Sequence, residues 1–471
     1  MYKQKGGGVK AWEYLYKRTK QAFPSLTRKK NQQMGETVER LIKYSDDLIR
    51  MLWEATPESG APSCLIAGAI SALENKGLDV SKAEVLFEEG LNCLKTKDYL
   101  QLQRITAQIL KTFKEAPKVS SHNYFSYNHP TLWEEFEGEI PPEEYLYNVK
   151  EDDYTDRVYG SWLGEIIGGA FGGGPFEGYT PQAIQKVFGE VTEYIGKPST
   201  VNDDVTYELA FLEAFKEKGY KVSSADIAEK WLMYIPFGWT AETIALENLR
   251  RGIYPPESGS FLNYFSEWIG AQMRAGVIGL VAPGKPKLAS HLAFIDGQIS
   301  HEKNGVYAEC FVAAMVSLAF VKKDIRKIIV EALSYVPKTS EFYAVVSEVI
   351  GISEKASNCN FVIKKIEERF KRYHWVHAYP NIWIVINALW WSRGSFGEAL
   401  RISLLGGLDT DCNCGVVGAI MGVLKGVKGI NKSWYQPFND ILETYNMRGK
   451  FTKMKISALA QETVEAVRKY W

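Results

Sequence analysis

The stretch LGGLDTDCNCGVVGAIMG, residues 405–422, joins an acidic turn to an apolar segment that is punctuated by glycine. Gly406 and Gly407 allow a tight backbone turn, and Asp409 and Asp411 follow at the start of the apolar segment. Glycine inside a helix lowers its stability, so a helix that keeps glycines at 415, 418 and 422 is expected to approach another group closely. The stretch therefore predicts a closely packed helix with two carboxylates at its entrance.

A second segment rich in small residues is GSWLGEIIGGAFGGGPFEG, residues 160–178. Its first half is typical of a helix with small residues on one face, and its second half is a glycine-rich loop that leads to Glu177. Glycine loops can bind phosphate through their backbone amides. This loop matches neither the P-loop pattern nor a strand-borne dinucleotide fingerprint, so it indicates no ligand by itself.

Helical periodicity extends over most of the chain. Apolar residues at spacings of three and four predict helices at residues 36–55, 83–94 and 99–113. Residues 118–154 interrupt this pattern with prolines, aromatic residues and acidic groups, which is typical of a linker. Strand-like alternation is rare, which disfavours a parallel sheet. We predict an all-α protein with a helical domain of unknown role at 1–118, a linker at 119–154 and a compact multi-helix domain at 155–471.

The overall composition limits the classes of partner. Lysine and arginine total 56, as do aspartate and glutamate, so no global field favours nucleic acid. An anionic ligand would then be held by local groups or by metal ions. The six cysteines show no zinc-binding spacing, the N-terminus lacks the apolar core of a signal peptide, and the apolar runs are too short for a bilayer. We expect a cytoplasmic protein with no nucleic-acid or membrane partner.

Two tight pairs of aspartates stand far apart in the sequence, each before an apolar helix. Asp203 and Asp204 lie in STVNDDVTYE, residues 199–208, and Asp409 and Asp411 lie in the stretch 405–422. Carboxylates at a helix entrance either cap backbone amides or direct oxygen ligands into one small volume. Magnesium, manganese and calcium prefer such oxygen ligands, whereas zinc and copper prefer nitrogen or sulfur. Both interpretations stay open, and the glycines around the second pair favour the ligand interpretation there.

Together these segments resemble the ADP-ribosylglycohydrolase family, of the dinitrogenase-reductase-activating glycohydrolase kind. A glycine-rich helix leading to a glutamate, an aspartate doublet and a late GGLDTD stretch occur in the family's order. Between them, WIGAQMR at residues 268–274 is similar to the family's Gly-x-x-Met-Arg segment, and SHEKNG at residues 300–305 is similar to its Ser/Thr-His segment. The resemblance covers about residues 156–426 and none of the chain before them.

The resemblance implies an all-helical domain that holds two divalent cations, Mg²⁺ or Mn²⁺, between the aspartate clusters. An asparagine and a cysteine stand where the family commonly has threonine or serine. An asparagine oxygen can replace a hydroxyl ligand, whereas a cysteine sulfur suits a hard cation poorly. The implied metal ligands are Asn202, Asp203, Asp204, Asp409, Asp411 and Cys412.

The activity that the resemblance implies is hydrolysis of the N- or O-glycosidic bond of ADP-ribose, or of a related ribosyl compound, by water activated at the two ions. Its substrate would be an ADP-ribosylated protein or a small ADP-ribosyl or nucleoside compound. The implied catalytic residues are Glu177, Asp204 and Asp411. Glu177 would act as general acid/base or gate, and a solvated loop carboxylate is the alternative interpretation.

The resemblance also implies substrate-binding residues, which are Gly270, Ala271, Arg274 and His301. The first two would contact the diphosphate through the backbone. Arg274 would pair with phosphate or with a buried carboxylate, and His301 would bind ribose or phosphate or serve as a structural core group. Two other functions stay open, namely a non-catalytic ADP-ribose or nucleotide-binding protein and an N-glycosidase of small nucleosides or nucleotides on the same scaffold.

Overall fold

Helices make up nearly all of the regular structure. The computed structural model describes residues 11–21, 34–54, 61, 63–142 and 145–471. The α-helices of these residues are α1 (Ala11–Gln21), α2 (Met34–Trp53), α3 (Leu65–Asn75), α4 (Ser81–Thr96), α5 (Tyr99–Glu115), α6 (Trp133–Glu137), α7 (Asp152–Gly172), α8 (Pro181–Phe188), α9 (Asp204–Lys218), α10 (Ser224–Tyr234), α11 (Thr240–Arg250), α12 (Glu257–Ser260), α13 (Gly270–Met273), α14 (Gly276–Leu280), α15 (Pro286–Gly297), α16 (Asn304–Ala319), α17 (Ile325–Ala332), α18 (Glu341–Lys355), α19 (Cys359–Phe370), α20 (Ala378–Trp391), α21 (Phe396–Leu405), α22 (Thr410–Lys425), α23 (Lys432–Tyr435) and α24 (Ile456–Tyr470). The predicted all-α fold class is confirmed.

Short elements connect some of these helices. The 3₁₀ helices span Asn123–Ser126, Gly219–Lys221, Leu333–Tyr335, Val427–Gly429, Gln436–Phe438 and Gly449–Phe451. The strands of the described residues, β1 (Ile441–Glu443) and β2 (Lys453–Lys455), form an antiparallel pair. Among the described helices, none combines the length and the apolar character that crossing a lipid bilayer requires.

The glycine-bearing helices α7 and α22 pack directly against each other. A Cβ atom on Gly164 would overlap the carbonyl oxygen of Gly418, and one on Gly160 would lie 2.6 Å from the carbonyl oxygen of Gly422. The two backbones are therefore in contact, which a larger residue at these positions would prevent. This confirms the close approach that the glycines of residues 415–422 predict.

The core surrounds this helix pair. Helix α16 is buried along its whole length, and most of its residues are apolar, as burial on all sides requires. The last helix, α24, closes the core against α7, where Trp162 Nε1 donates a hydrogen bond of 3.1 Å to Thr463 Oγ1. The site described below is therefore built on helix ends that a continuous core supports.

The chain separates into two compact units, Met1–Arg50 and Met51–Trp471. In the first unit, the described residues form α1 and most of α2, and Leu41 and Ile42 are exposed. The second unit contains α3 to α24. Residues 119–154, predicted to be a linker, lie inside this second unit, where Tyr124 donates a hydrogen bond of 2.9 Å to Glu267 Oε1.

Candidate active site

A cavity of about 480 Å³ is lined by residues from both aspartate pairs. Asn202 and Asp203, next to the start of α9, lie in its wall together with Asp409, Asp411 and Cys412 from the start of α22. Its volume lies in the range of small-molecule sites. The fold thus brings together two acidic segments that are far apart in the sequence.

The first aspartate pair is oriented by its neighbour Asn202. Asn202 Oδ1 accepts a hydrogen bond of 2.8 Å from the backbone N–H of Asp204, and its Nδ2 donates to Asp411 Oδ2 at 3.4 Å. Asp203 occupies the N-cap position of α9, but its side chain makes no capping hydrogen bond. The asparagine therefore takes over the capping contact that an aspartate at a helix start usually makes.

The second pair is held by a backbone bridge to the loop that precedes α8. Leu408 has a positive φ of 63°, a strained conformation for a branched side chain. Its N–H donates to the carbonyl oxygen of Tyr179 at 2.9 Å, and its own carbonyl oxygen accepts from the N–H of Gly178 at 2.7 Å. Thr410 Oγ1 donates to the carbonyl oxygen of Gly172 at 2.6 Å. These contacts fix the acidic turn against the glycine-rich loop.

Glu177 lies in that loop and is half-buried in the cavity wall. A Cβ atom on Gly173 would lie 3.7 Å from Glu177 Oε1 and 3.8 Å from Asp411 Cβ. The glutamate and the aspartate therefore lie on either side of Gly173, whose missing side chain leaves the space between them open. The glycine loop brings Glu177 beside the second aspartate pair.

Burial disfavours the ionised form of the carboxyl groups of Asp204 and Asp409. Asp204 and Asp409 are 2% and 5% exposed. Burial, and secondly the charge of Asp411, raises the pKa of each carboxyl well above its usual range. Asp204 Oδ2 and Asp411 Oδ1 are buried without a hydrogen-bond partner among the described residues. Such a group of buried acids is unfavourable unless a positive charge compensates it.

The donor atoms of this cluster can hold a metal ion. Ligand atoms of Asp204, Asp411 and Cys412 all lie within 4.8 Å of one another. Cys412 Sγ donates to Asp204 Oδ1 at 3.1 Å and lies 3.6 Å from Met273 Sδ. The carboxylates suit a hard divalent cation, whereas the sulfur atoms do not. The aspartates fit the implied cations, and Cys412 is the part of the donor set that fits them poorly.

Comparison with known proteins identifies the family of this chain. The profile of the ADP-ribosylglycohydrolase family matches residues 150–470. The chain belongs to the ADP-ribosylglycohydrolase family. An uncharacterized protein of Archaeoglobus fulgidus is 25% identical over 307 residues, which cover 62% of this chain and 92% of that relative. A solved structure described as an "ADP-ribosylglycohydrolase-related protein complex" is 18% identical, covers 68% of this chain and 99% of its own, and has a TM-score of 0.48.

Membership of this family makes the chain a relative of glycoside hydrolases, and most of its predicted site residues meet at the cavity. Five of the six predicted metal ligands line it, and Asp204 lies directly behind Cys412. The predicted catalytic residues Glu177 and Asp411 line it as well. Of the predicted substrate-binding residues, Gly270 does so.

The other predicted substrate-binding residues, Ala271, Arg274 and His301, are described residues that do not line the cavity. Each is no more than 1% exposed. His301 Nδ1 is hydrogen-bonded to Ser300 Oγ at 2.7 Å, and burial, followed by the charge of Arg274, lowers its pKa well below the usual range. His301 is therefore a neutral buried ring, and direct contact of these three residues with substrate stays a prediction.

Arg274 is surrounded by protein acceptors behind the cavity. Its Nε donates to Asp296 Oδ2 at 2.6 Å, and its Nη1 donates to Ser300 Oγ at 3.0 Å and to the carbonyl oxygen of Gly270 at 3.2 Å. Glu242 Oε1 lies 3.4 Å from the same nitrogen. In this structure Arg274 pairs with buried carboxylates, which is the second of its two sequence-based interpretations.

Sequence reasoning missed Glu242, which lines the cavity while only 2% exposed. Burial is the main cause that raises its pKa to about 7, and the charge of Arg274 opposes this rise. The sequence did contain a usable signal. Glu242 lies three, four and seven residues before Ala245, Leu246 and Leu249, which are buried on α11. A carboxylate on the apolar face of a helix indicates a buried charge that needs a partner.

An aromatic part of the cavity wall was also missed. Trp239, Trp375 and Tyr445 line it, and Trp239 Nε1 donates to Tyr445 OH at 2.6 Å. Ser63 and Leu65, from the part of the chain before the family match, line it too. Their sequence positions give no indication of this, because only the tertiary fold brings them to the site.

Proposed function

We propose that this protein hydrolyses the N- or O-glycosidic bond of ADP-ribose, or of a related ribosyl compound. The observation that carries the proposal is the convergence of both aspartate pairs and Glu177 on one cavity, in a chain of the ADP-ribosylglycohydrolase family. The substrate would be an ADP-ribosylated protein or a small ADP-ribosyl or nucleoside compound, and the cavity volume of about 480 Å³ suits a ligand of the latter size.

The aspartates are the residues that would hold the cofactors. Two divalent cations, Mg²⁺ or Mn²⁺, would lower the pKa of a water molecule and bind the ribose hydroxyls when present. Asp203, Asp204, Asp409 and Asp411 would be their carboxylate ligands, with Asn202 and Cys412 at the edge of the set. Glycosidic cleavage develops positive charge at the anomeric carbon, and fixed carboxylates stabilise that charge because they need no reorganisation during the reaction.

Glu177 is the residue that would move a proton. Its Oε1 would accept the proton of the attacking water, or donate one to the leaving oxygen or nitrogen. The bridge between Leu408 and Tyr179 holds its loop in place, so the carboxylate is positioned before the substrate binds. Gly270 would contact the diphosphate. Arg274 would act as a positioning residue, because its Nη1 holds the carbonyl oxygen of Gly270.

A specific observation favours a second candidate, a non-catalytic ADP-ribose or nucleotide binder. Two neutral donors already occupy oxygens of the aspartates. The thiol of Cys412 donates to Asp204 Oδ1, and the amide of Asn202 donates to Asp411 Oδ2. If these hydrogen bonds persist with a ligand bound, fewer oxygens remain for cations, and the pocket would bind without turnover.

Turnover with defined substrates separates the two candidates. The full chain is incubated with ADP-ribosylated arginine and serine peptides, nucleosides and dinucleotides, in the presence of magnesium, manganese or a chelator. Released ADP-ribose or free base is followed by chromatography. Asp204→Asn and Asp411→Asn are tested beside Asp324→Asn, a matched control because Asp324 caps α17 and accepts hydrogen bonds from the backbone there.

Release that requires the metal, persists in Asp324→Asn and is abolished in the two site variants is the expected result. Release of a free base from nucleosides alone would assign the small-molecule N-glycosidase function. Binding of ADP-ribose without release from any substrate would exclude the hydrolase and support the binder.

A further inference from the structure

One wall of the cavity comes from outside the family domain. The family profile begins at residue 150, but Ser63 and Leu65 line the cavity together with Glu177 and Trp375. We call residues 63–65 the N-terminal wall. Leu65 is the first residue of α3 and is half-buried, so its side chain presents an apolar surface to whatever occupies this part of the cavity.

The N-terminal wall is fixed by His374. Burial lowers the pKa of His374 to about 4, so the ring is neutral near pH 7. Its Nδ1 accepts a hydrogen bond from the N–H of Val376 at 3.3 Å, so Nε2 carries the proton and donates to the carbonyl oxygen of Ser63 at 2.7 Å. The same ring stacks on Trp268 with centroids 4.4 Å apart. The wall is therefore held by a defined tautomer.

Helix α3 behind the wall is also packed tightly. A Cβ atom on Gly68 would lie 2.9 Å from the Trp268 ring. Ser71 Oγ donates to the carbonyl oxygen of Arg372 at 2.6 Å, and Lys76 Nζ donates to Ser266 Oγ at 2.7 Å. Helix α3 is therefore attached along its length to Ser266 and Trp268, near the family's Gly-x-x-Met-Arg segment, and to Arg372.

The wall lies beside the loop that carries Glu177. A Cβ atom on Gly178 would overlap Ala61 Cβ and lie 3.2 Å from the Trp375 ring. Ala61 thus packs directly on the residue after Glu177. The loop that carries Glu177 therefore borders the residues just before the N-terminal wall, and Glu177, Leu65 and Trp375 line the same cavity.

We propose that the N-terminal wall contacts the leaving group of the substrate and limits its size. The proposal rests on the proposed function, because it takes Glu177 as the group that protonates the leaving atom. ADP-ribose itself, lacking a leaving group, would not reach Leu65. A ligand that carries a planar base at the anomeric carbon would contact Leu65 and Trp375.

Two ligands that differ in the leaving group test this assignment. ADP-ribose is compared with a carbocyclic NAD⁺ analogue, whose glycosidic bond is replaced by an uncleavable one and which carries nicotinamide. Their Kd values are measured by calorimetry with Mg²⁺ for wild type, Leu65→Phe and Leu65→Trp. Leu91→Trp is the matched control, because Leu91 is 43% exposed on α4 and does not line the cavity.

Filling the space at Leu65 should raise the Kd of the NAD⁺ analogue by about tenfold for tryptophan and by roughly threefold for phenylalanine. The Kd of ADP-ribose and both Kd values of Leu91→Trp should stay unchanged. The smaller phenylalanine substitution keeps the test informative if the tryptophan variant does not fold. Equal changes for both ligands, or none for either, would overturn the assignment of the wall. A wild type that binds neither ligand would instead overturn the proposed ADP-ribosyl function, and the wall assignment with it.

Discussion

Two groups of buried carboxylates in this protein compensate their charge in different ways. The arginine cluster consists of Arg274 with Glu242, Asp296 and Glu309, and the floor cluster consists of Cys412 with Asp204, Asp409 and Asp411. In the first, the guanidinium lies 2.6 Å from Asp296, 3.4 Å from Glu242 and 4.0 Å from Glu309. In the second, no lysine or arginine of the described part of the chain forms an ion pair with the three aspartates.

The difference separates a structural ion cluster from a ligand site. The arginine cluster receives its cation from the chain, and its members are no more than 3% exposed. Its Glu242 also lines the cavity, and Asp296 Oδ1 and both carboxylate oxygens of Glu309 have no hydrogen-bond partner among the described residues. The floor cluster borders the cavity and leaves Asp204 Oδ2 and Asp411 Oδ1 without donors. Buried acids with no protein cation are stable only with bound protons or bound cations. The described part of the chain supplies no lysine or arginine to the floor cluster, so its charge would be compensated by bound protons or by a bound cation.

The largest expected effect comes from removing the protein's own cation. Arg274→Met leaves three carboxylates buried without a counter-charge and should lower the free energy of unfolding by about 3–5 kcal/mol. Arg369→Met is the matched control. Arg369 pairs with Glu348 at 3.2 Å, but both side chains are 42% exposed, so its loss should cost no more than about 1 kcal/mol. Urea unfolding measures both, and similar costs would show that the arginine cluster is not the compensated one.

The floor cluster should respond to cations supplied from solution. Mg²⁺ or Mn²⁺ at a hundredfold excess over its Kd should stabilise the wild type by about 2.7 kcal/mol. In Asp204→Asn this gain should be lost. With chelator present, the melting temperature of the variant should be no lower than that of the wild type, because the substitution removes one of the repelling carboxylates. Thermal unfolding with and without chelator measures both effects. A cation-dependent gain that persists in Asp204→Asn would place the binding elsewhere.

The smallest effect, counted for one unit of pH, concerns the buried carboxyl pair Glu165 and Glu208. Burial is the main cause that raises the pKa of Glu208 to about 8, and the charge of Asp296 adds to this rise. Burial, followed by the charge of Glu208 and lastly that of Asp204, raises the pKa of Glu165 well above its usual range. The folded state then holds a proton that the unfolded chain releases near pH 4.3. Stability is therefore fully present below that pH and is lost as the pH rises towards 8, by at most about 1.4 kcal/mol per pH unit.

Glu208→Gln should flatten this dependence, because the amide oxygen keeps the hydrogen bond that Glu208 Oε1 accepts from the Val277 N–H at 2.9 Å. Urea unfolding of both proteins at pH 5, 6, 7 and 8 with chelator gives the slopes. An unchanged slope would mean that Glu208 is not the group that titrates, and that the two clusters are not connected through it.

The sequence predicts the all-α fold and the place of each aspartate pair at a helix start, because both depend on local patterns. That the two pairs form one site was expected only from the resemblance to the family. Periodicity marks the helices, and an aspartate at a helix start stays at that start in the fold. The position of Arg274 is harder to predict, since a Gly-x-x-Met-Arg segment fits a phosphate contact and a buried ion pair equally. Tertiary packing decides between them by surrounding the guanidinium with Asp296 and Ser300.

Tertiary packing also determines the other features of the site that the sequence does not predict. Leu65 precedes the family domain, and only the tertiary fold brings it to the cavity, where His374 donates a hydrogen bond to the neighbouring Ser63. Asn202 and Cys412 were predicted as ligands from their positions. Their hydrogen bonds to neighbouring groups depend on side-chain orientation, which no sequence pattern specifies.

The close contact between α7 and α22 limits the sequences that can form this site. Along α7, side chains at Gly160, Gly164, Gly168 and Gly172 would each overlap or crowd a backbone oxygen of residues 410–422. An alanine at one of these positions would push the two helices apart. It would also separate Glu177, in the loop after α7, from Asp411, in the first turn of α22. Natural variation should therefore be nearly absent at these four glycine positions.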